Sequence, residues 1–469
     1  MKSKLVILFL ISTLFLTTGL GCKGGDLTAK KALLEPVVLN FWGFFDSSDQ
    51  FAKAIASYRL THPNVTINYK KLRFEDYEQK LLEGWANNEG PDIFVIHNTW
   101  VNAYENKILA LPKTIKLPVI EVSGWLKKEK NAVVKEFSTL TPEQIKTLFP
   151  DVVYEDAVKK NQILGLPLSL DTLTLFYNRD HFNAAGLIQA PSTWQEFNEA
   201  VIKLTRLNTA GELERAGAAM GGSDNINRSN DILSLLMMQN GTTMVDDNQG
   251  ITFDKSAGAK KDFYPGEQAL KFYTDFALAS KEVYTWNDKL PEALEMFSAG
   301  KLAMMFGFAY QIPLIKAQAP KINLGIAAVP HLKTDTTDAL GLPINLASYW
   351  LYTVFKNSKN SDEAWDFLVF LTTKQYQDET GATRYYVEDY LNGTQTPPAL
   401  RNLIANFKNN NPTLAPIADQ ILTAVSWYRG KNPNEMNRIF KQMITQVIEG
   451  QTKIRSAISS AANAIEKTY

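Results

Sequence analysis

The side chains able to do chemistry in this chain are unevenly placed. Its four histidines (His62, His97, His181 and His331) are scattered. None sits in an HExxH helix or beside a cysteine, so their spacing gives no metal-ligand pattern. There is no Gly-x-Ser-x-Gly elbow, no phosphate-cradling loop and no dinucleotide fingerprint. Two short clusters instead mix aromatic rings with small polar groups: Trp42, Phe44, Asp46, Ser47 and Ser48 in one, and His97, Asn98, Thr99 and Trp100 in the other. Rings offer apolar faces while carboxylates and amides exchange hydrogen bonds, a combination that suits a neutral sugar. A hydrolytic alternative needs two carboxyl groups about 5–10 Å apart. Asp46 and Asp171 could converge to supply them, although nothing in their spacing favours it.

Both clusters depend on elements that hold them. Residues 37–42 read as a strand, and Ser47 and Ser48 as N-caps of a helix with Phe51, Ile55 and Tyr58 at helical spacing. A second strand covers 65–69, and a helix over 74–85 carries Tyr77, Leu81 and Trp85 on one stripe. Gly90-Pro91-Asp92 leads into an apolar strand at 93–96. This alternation predicts a parallel sheet covered by helices, with ligands beyond the carboxyl ends of the strands, where both clusters stand. Residues 110–162 are less legible, and the charge run at 127–130 reads as a solvated face. Further strands are expected at 173–177, 216–220, 302–306, 324–329 and 350–355. A capping box at 192–195 opens a helix packing through Trp194, Phe197, Val201 and Leu204. Other helices are expected at 231–239, 266–279 and 291–298. Beyond 357 the pattern is helical throughout: 362–372, 397–407, 413–427, 434–448 and 453–467. Trp85, Trp194 and Trp365 lie on amphipathic stripes and are assigned to packing.

At 469 residues the chain calls for two lobes or domains. Lys plus Arg equals Asp plus Glu, 49 each, which leaves no footprint for nucleic acid or an anionic membrane surface. Lys2 and Lys4 precede an apolar run from residue 5 to 11 that continues to Leu16, so residues 1–21 read as an export signal. Cys22, the only cysteine, follows at once, and the segment resembles a bacterial lipoprotein box in which that thiol takes a lipid. It departs from the box at Gly19, where Leu is usual, and Gly19 with Gly21 also satisfies an ordinary signal peptidase. Either route places the mature protein outside the cytoplasm. Residues 22–36 read as a tether.

Four later segments carry a family resemblance. Gly165-Leu166-Pro167-Leu168-Ser169-Leu170-Asp171, running into Leu175-Phe176-Tyr177-Asn178-Arg179-Asp180, resembles the first crossing segment of maltose-binding-type extracellular solute-binding proteins, the receptors of ABC importers. Ala185-Gly186-Leu187 with Ala190-Pro191-Ser192-Thr193-Trp194-Gln195-Glu196-Phe197, Phe297-Ser298-Ala299-Gly300-Lys301-Leu302-Ala303-Met304-Met305 followed by Gly307, and Gly90-Pro91-Asp92-Ile93 resemble three further segments of that family. Each is weak alone; four in order are specific.

The resemblance implies a two-lobed α/β periplasmic-binding-protein-like fold with three crossing segments, near 166–172, 300–305 and 341–349. One lobe would hold 37–168 and 306–342, the other 169–305 and 343–469. It implies a monomer without cofactor, anchored to the membrane by its lipid, that passes a small solute, expected to be a carbohydrate, to a permease. An adhesin is the remaining alternative, and it leaves the crossing motifs unexplained. By family position Asp171 is the foremost ligand contact, its rival role being a local cap. Ser47 and Ser48 serve equally as caps, His97 as a hydrogen-bonded structural residue, and Tyr310 as core. In the second lobe Asn225 and Arg228 follow a strand, with Asp224 or Asp231 as alternative partners for Arg228. Asn345, Tyr349 and Trp350 surround the third crossing, Trp286 lies in a loop, and Trp427 and Tyr428 follow a helix near the C-terminal end.

Overall fold

The computed structural model describes residues 31, 33, 35–123, 129–257, 262–332 and 344–469. The segment read as an export signal and Cys22 lie outside the described residues. Within them, no helix is long and apolar enough to cross a membrane.

Strand β1 (Val37–Gly43) buries Leu39 and Phe41 on one face. It pairs in parallel with β2 (Val65–Lys71) and β3 (Ile93–His97), Phe41 standing opposite both Tyr69 and Ile93. The connections are α1 (Ser48–Arg59), burying Phe51, Ala54 and Tyr58, and α2 (Phe74–Ala86), burying Tyr77, Leu81 and Trp85. The α2 stripe is the one that the sequence spacing predicts, while in α1 Ala54 is buried between Phe51 and Tyr58 and the expected Ile55 is only half-buried. The poorly legible segment forms a long hairpin, Thr114–Ser123 with Glu129–Ser138, and then α3 (Asp151–Ala157). Ile115, Leu117 and Val119 face inward along the hairpin. Lys116 and its register partner Glu136 face outward between them, so half of the pattern reads as a charged surface.

The chain leaves this lobe through β4 (Asp171–Thr172), with Leu170 in the first core and Leu173 in the second. The second lobe is built on β5 (Thr174–Asn178), β6 (Leu213–Ala218), β7 (Leu302–Gly307) and β8 (Leu324–Ala327), in the order β6-β7-β5-β8. Helix α4 (Trp194–Leu204) opens on the expected capping box, the Glu196 amide donating to Thr193 Oγ1 at 3.2 Å. Helix α5 (Ser229–Gln239) is buried along almost its whole length. The return runs through β9 (Asn345–Ser348), where Leu346 belongs to the second core and Ala347 to the first. Next, β10 (Trp350–Phe355) completes the first sheet, antiparallel to β3 with Trp350 opposite His97. The last crossing is β11 (Ala424–Val425), after which α6 (Pro433–Ile448) packs on the second lobe.

The three crossing strands form their own small sheet, β4 antiparallel to β9 and β9 parallel to β11. Gln420, fully buried, fastens it. Its amide nitrogen donates to Thr172 Oγ1 at 3.0 Å and to the Leu173 carbonyl at 3.1 Å, and its oxygen accepts from the Val329 amide at 2.9 Å.

This arrangement overturns the expected lobe boundaries. Residues 300–305 are no crossing: β7 is buried at all six positions, a central strand between β6 and β5. The turn before it, with Gly300 at φ +70°, delivers the chain straight into that sheet. The described residues 306–332 therefore do not join the first lobe; Ile312, Ile315, Ile326 and Val329 all pack in the second core. Nor is 343–469 one lobe, since Leu351, Val354, Trp365 and Leu368 pack in the first core. The helix expected over 413–427 stops at Gln420, and the third crossing lies within that span. Among the described residues the lobes are thus 37–170 with 347–424, and 173–346 with 425–469, Leu414 and Ile417 reaching across into the second core.

Candidate functional site

Along β9 and into β10 alternate side chains leave opposite faces. Ser348 and Trp350 point to one side, where the ends of β3 and β4 also arrive. His97 bonds Ser348 Oγ through Nε2 at 3.0 Å and Thr99 Oγ1 through Nδ1 at 2.8 Å, with Trp350 edge-on 5.0 Å away. Burial, aided by the nearby Arg228 charge, pushes its pKa down to about 3, so the imidazole is a neutral structural member of the wall. Asp171 stands opposite Ser348 in the β4–β9 register. Burial pushes its carboxyl up to about 7, against the pull of the Thr172, Ala309 and Tyr310 amides and of Arg228. The result is a carboxyl able both to donate and to accept near neutrality.

The second lobe contributes Arg228, at the N-terminus of α5. It donates to Asp231 Oδ2 at 3.4 Å and to the Tyr310 hydroxyl at 2.5 Å. Its guanidinium lies 4.9 Å from the Phe308 ring centre and 5.7 Å from that of Tyr310. Burial opposes the charge, but Asp231 and Tyr310 outweigh it and raise the pKa further. Nε is buried with no protein partner, leaving one directed donor.

The first lobe supplies rings. Phe44 packs edge-on against Trp350 (4.5 Å), Phe45 lies 5.4 Å from the same indole, and Phe74 stacks on Phe45 at 6.0 Å. Across the cleft Phe45 meets Tyr310 of the other lobe at 6.1 Å, the planes within 24°. Phe45, Phe74 and Tyr310 are 49, 48 and 39% exposed, so part of each ring remains accessible to a ligand. One guanidinium flanked by two carboxyls, set among open rings between two lobes, can hold a neutral hydroxylated ring.

The structure thus brings Asp171, His97, Arg228, Tyr310 and Trp350 together, with Phe44 behind. Phe45, Phe74, Phe308 and Ser348 belong beside them and are not named by the sequence reasoning, while Asp231, expected as a partner of Arg228, is found paired with it. Phe45 and Phe74 carry the weakest signal, since each borders an element whose buried stripe lies elsewhere.

Other expected contacts are placed away from this cleft. Trp42 is buried against α2 with Lys70 over its ring at 4.6 Å. Asp46 is buried, accepting from the Tyr352 hydroxyl at 2.9 Å and the Tyr390 hydroxyl at 3.0 Å. Burial raises its pKa above the usual carboxylate range. Both its oxygens are taken, so it does not pair with Asp171 as acid and base. Ser47 is the cap of α1, its amide donating to Gln50 Oε1 at 2.8 Å, and Ser48 begins that helix. Asn225 accepts from Trp286 Nε1 at 2.9 Å and donates to the Asn287 and Leu290 carbonyls, while Trp286 is wholly buried; the pair pins a loop. Asn345 is buried and bonded to Thr423 Oγ1 at 2.6 Å. Trp100 is the exception: it is buried directly behind the cleft wall, edge-on to Trp350 at 5.7 Å and stacked on Tyr104 at 6.1 Å. Trp427 packs on Phe440 and Tyr428 in the second core. Tyr349 points away from the cleft, and Asn98 bonds on that far side with Asp156.

Known proteins share this architecture. A binding protein of Brucella abortus is 22% identical over 327 residues, covering 70% of this chain and 69% of its own. The sn-glycerol-3-phosphate-binding periplasmic protein UgpB of Salmonella paratyphi A is 29% identical over 204 residues, 42% of each chain. The crystal structure of the cyclic alpha-maltosyl-1,6-maltose binding protein from Arthrobacter globiformis superposes with a TM-score of 0.69 at 18% identity, covering 92% of this chain and 99% of that one. The family model described as bacterial extracellular solute-binding protein matches residues 46–378. With two lobes, three crossing strands and an interlobe cleft, the chain belongs to the bacterial extracellular solute-binding protein family.

Proposed function

We propose that this protein captures a mono- or oligosaccharide between its lobes and delivers it to the permease of an ABC importer, without altering it. The observation that carries this reading is the convergence of Asp171, Arg228 and the open rings of Phe45, Phe74 and Tyr310 in one cleft. Rings pack against the apolar faces of a sugar, and the two polar groups exchange hydrogen bonds with its hydroxyls. The Arthrobacter relative, named for a cyclic maltosyl-maltose ligand, supports the same class. A phosphate ester, the ligand in UgpB's name, fits less well, because Arg228 already faces Asp171 and Asp231 and a phosphate calls for several cations. We place the protein at the outer face of the cell membrane, held by a lipid on Cys22 and acting as a monomer. Cys22→Ser should release it into the soluble fraction.

The deciding experiment is a thermal-shift screen of the chain lacking residues 1–25 against mono- and oligosaccharides and sn-glycerol 3-phosphate. A ligand at 100 times its Kd adds about 2.7 kcal/mol of stability. A saccharide that stabilises the fold and is recovered unchanged establishes the reading. Stabilisation by the phosphate ester alone overturns the sugar class, and turnover of the saccharide overturns the receptor.

A further inference from the structure

The second lobe has a basic end remote from the cleft. Strand β7 runs from Leu302 to Gly307 and hands Phe308 and Tyr310 to the cleft, so its first residue lies about 17 Å from that end. There Ala216 of β6 stands opposite Leu302, and Arg215 comes just before it. The short strand Arg206–Leu207 pairs antiparallel with β6 and sets Arg206 directly opposite Arg215. Residues paired in this way share one face of the sheet, and like charges so placed repel each other.

Arg215 is only 8% exposed, yet its guanidinium meets no carboxylate. Nε donates to the Leu204 carbonyl at 2.9 Å, and Nη1 meets His181 Nδ1 at 3.3 Å. His181 Nε2 bonds the Gly300 carbonyl at 2.9 Å, which puts the ring proton on Nε2 and leaves Nδ1 to accept. Burial, with both arginine charges, lowers the His181 pKa against the Gly300 carbonyl and Asp180, so this acceptor is neutral too. The acids nearby are turned elsewhere. Asp180 accepts from Asn323 Nδ2 at 2.9 Å, and Glu212 from Asn208 Nδ2 at 2.9 Å. Glu214, adjacent to Arg215, leaves the opposite face of β6. Burial and the Arg206 charge pull the Arg215 pKa below the usual guanidinium value, and Glu214 opposes them only in part.

A role in the fold accounts for some of this. The bond to Leu204 closes the C-terminus of α4, but it uses a single N–H of the guanidinium and gives no reason for a second arginine opposite. Among the described residues neither arginine forms an ion pair, whereas buried charges are normally paired. We propose that Arg206 and Arg215 form a binding site for a phosphate-type oxyanion at the end of the second lobe away from the cleft. The planar fork of an arginine matches such an anion through parallel N–H bonds. The cleft sets one guanidinium between two carboxyls, while this end sets two guanidiniums together with no carboxylate paired to either. The site is independent of the solute that fills the cleft.

The test follows thermal unfolding of the ligand-free protein as chloride is replaced by inorganic phosphate at constant ionic strength. Phosphate should raise the wild-type Tm along a saturating curve, above the unsaturating rise that an excluded salt gives. Arg206→Gln, at an exposed position, should lose the saturating part, and Arg228→Met, in the cleft, should keep it. In chloride alone Arg206→Gln should raise Tm by removing the repulsion, whereas loss of a purely structural contact would lower it. Arg215→Gln should lose the phosphate response as well, and Arg206→Gln decides the matter if that variant does not fold. Sedimentation with phosphatidylglycerol vesicles, against phosphatidylcholine vesicles, separates the sources of the anion. A saturating response to free phosphate assigns a soluble anion; vesicle binding alone, lost in Arg206→Gln, assigns a lipid headgroup. Neither response, a response that survives Arg206→Gln, or one abolished by Arg228→Met instead overturns the proposal.

Discussion

Two aspartates that a sequence treats alike have opposite fates here. Asp46 serves the fold: its carboxyl receives two tyrosine hydroxyls, and Asp46→Ala leaves them only their long 3.4 Å bond to each other in the first core. That should cost about 1–3 kcal/mol in urea unfolding, while ligand affinity stays near the wild-type value. Asp171 instead lines the cleft, and Asp171→Ala should weaken saccharide binding by about ten-fold or more in calorimetry, the worth of one hydrogen bond to a charged group. Unchanged affinity would remove Asp171 from the site. Its titration gives a second check. Burial lifts the carboxyl from 3.8 to about 7 in the folded chain. Between those values the folded state holds a proton that the unfolded state has released, so this group's contribution to stability is present at low pH and lost as pH rises through about 7. The ligand-free urea midpoint should therefore fall more between about pH 4.5 and about pH 7.5 in the wild type than in Asp171→Asn. Equal slopes would show that Asp171 does not titrate in this window.

Elements with one strong period were legible; those that change partners were not. Helices α1, α2 and α4 announce themselves because a single buried stripe repeats at helical spacing, and β3 because four consecutive buried residues follow a Gly-Pro turn. The Leu302–Gly307 strand was equally legible as a strand, yet its lobe was not, since an apolar run carries no record of which sheet receives it. The third crossing was hidden for a different reason. Ala424–Val425 is too short to show a period, and it follows a helix whose apolar residues divide between both cores, Ile417 in one and Ala418 in the other. Gln420 marks that place only in three dimensions. Gln420→Leu keeps the volume but removes every bond tying Thr172, Leu173 and Val329 together. It should destabilise the fold by about 1–3 kcal/mol, read as a lower urea midpoint. An unchanged midpoint would mean that strand pairing alone holds the hinge.

At the scale of the molecule, charge distinguishes the remaining ligand classes. The cleft contacts came from widely separated stretches of chain, and Asp171, His97, Arg228, Tyr310 and Trp350 were foreseeable, because a family position or a strand end marked them. Phe45 and Phe74 gain meaning from the opposite lobe, which no local window contains. Taken together these groups place one guanidinium against two carboxyls, and the whole chain balances 49 basic against 49 acidic residues. Neither the site nor the molecule then attracts an anion over distance. At about 0.1 M salt charges farther apart than about 10 Å are screened, so long-range steering vanishes first and direct contacts persist. A neutral sugar held by rings and hydrogen bonds should keep its Kd within about two-fold from about 0.05 to about 0.5 M sodium chloride. A phosphate ester bound through Arg228 should weaken several-fold over that range, as exposed charge pairs do. Titration at both salt concentrations reads the difference directly. A steep salt dependence would mean that Arg228 leaves Asp231 to take an anionic ligand, and the neutral-sugar assignment would then fall while the two-lobed capture mechanism stood.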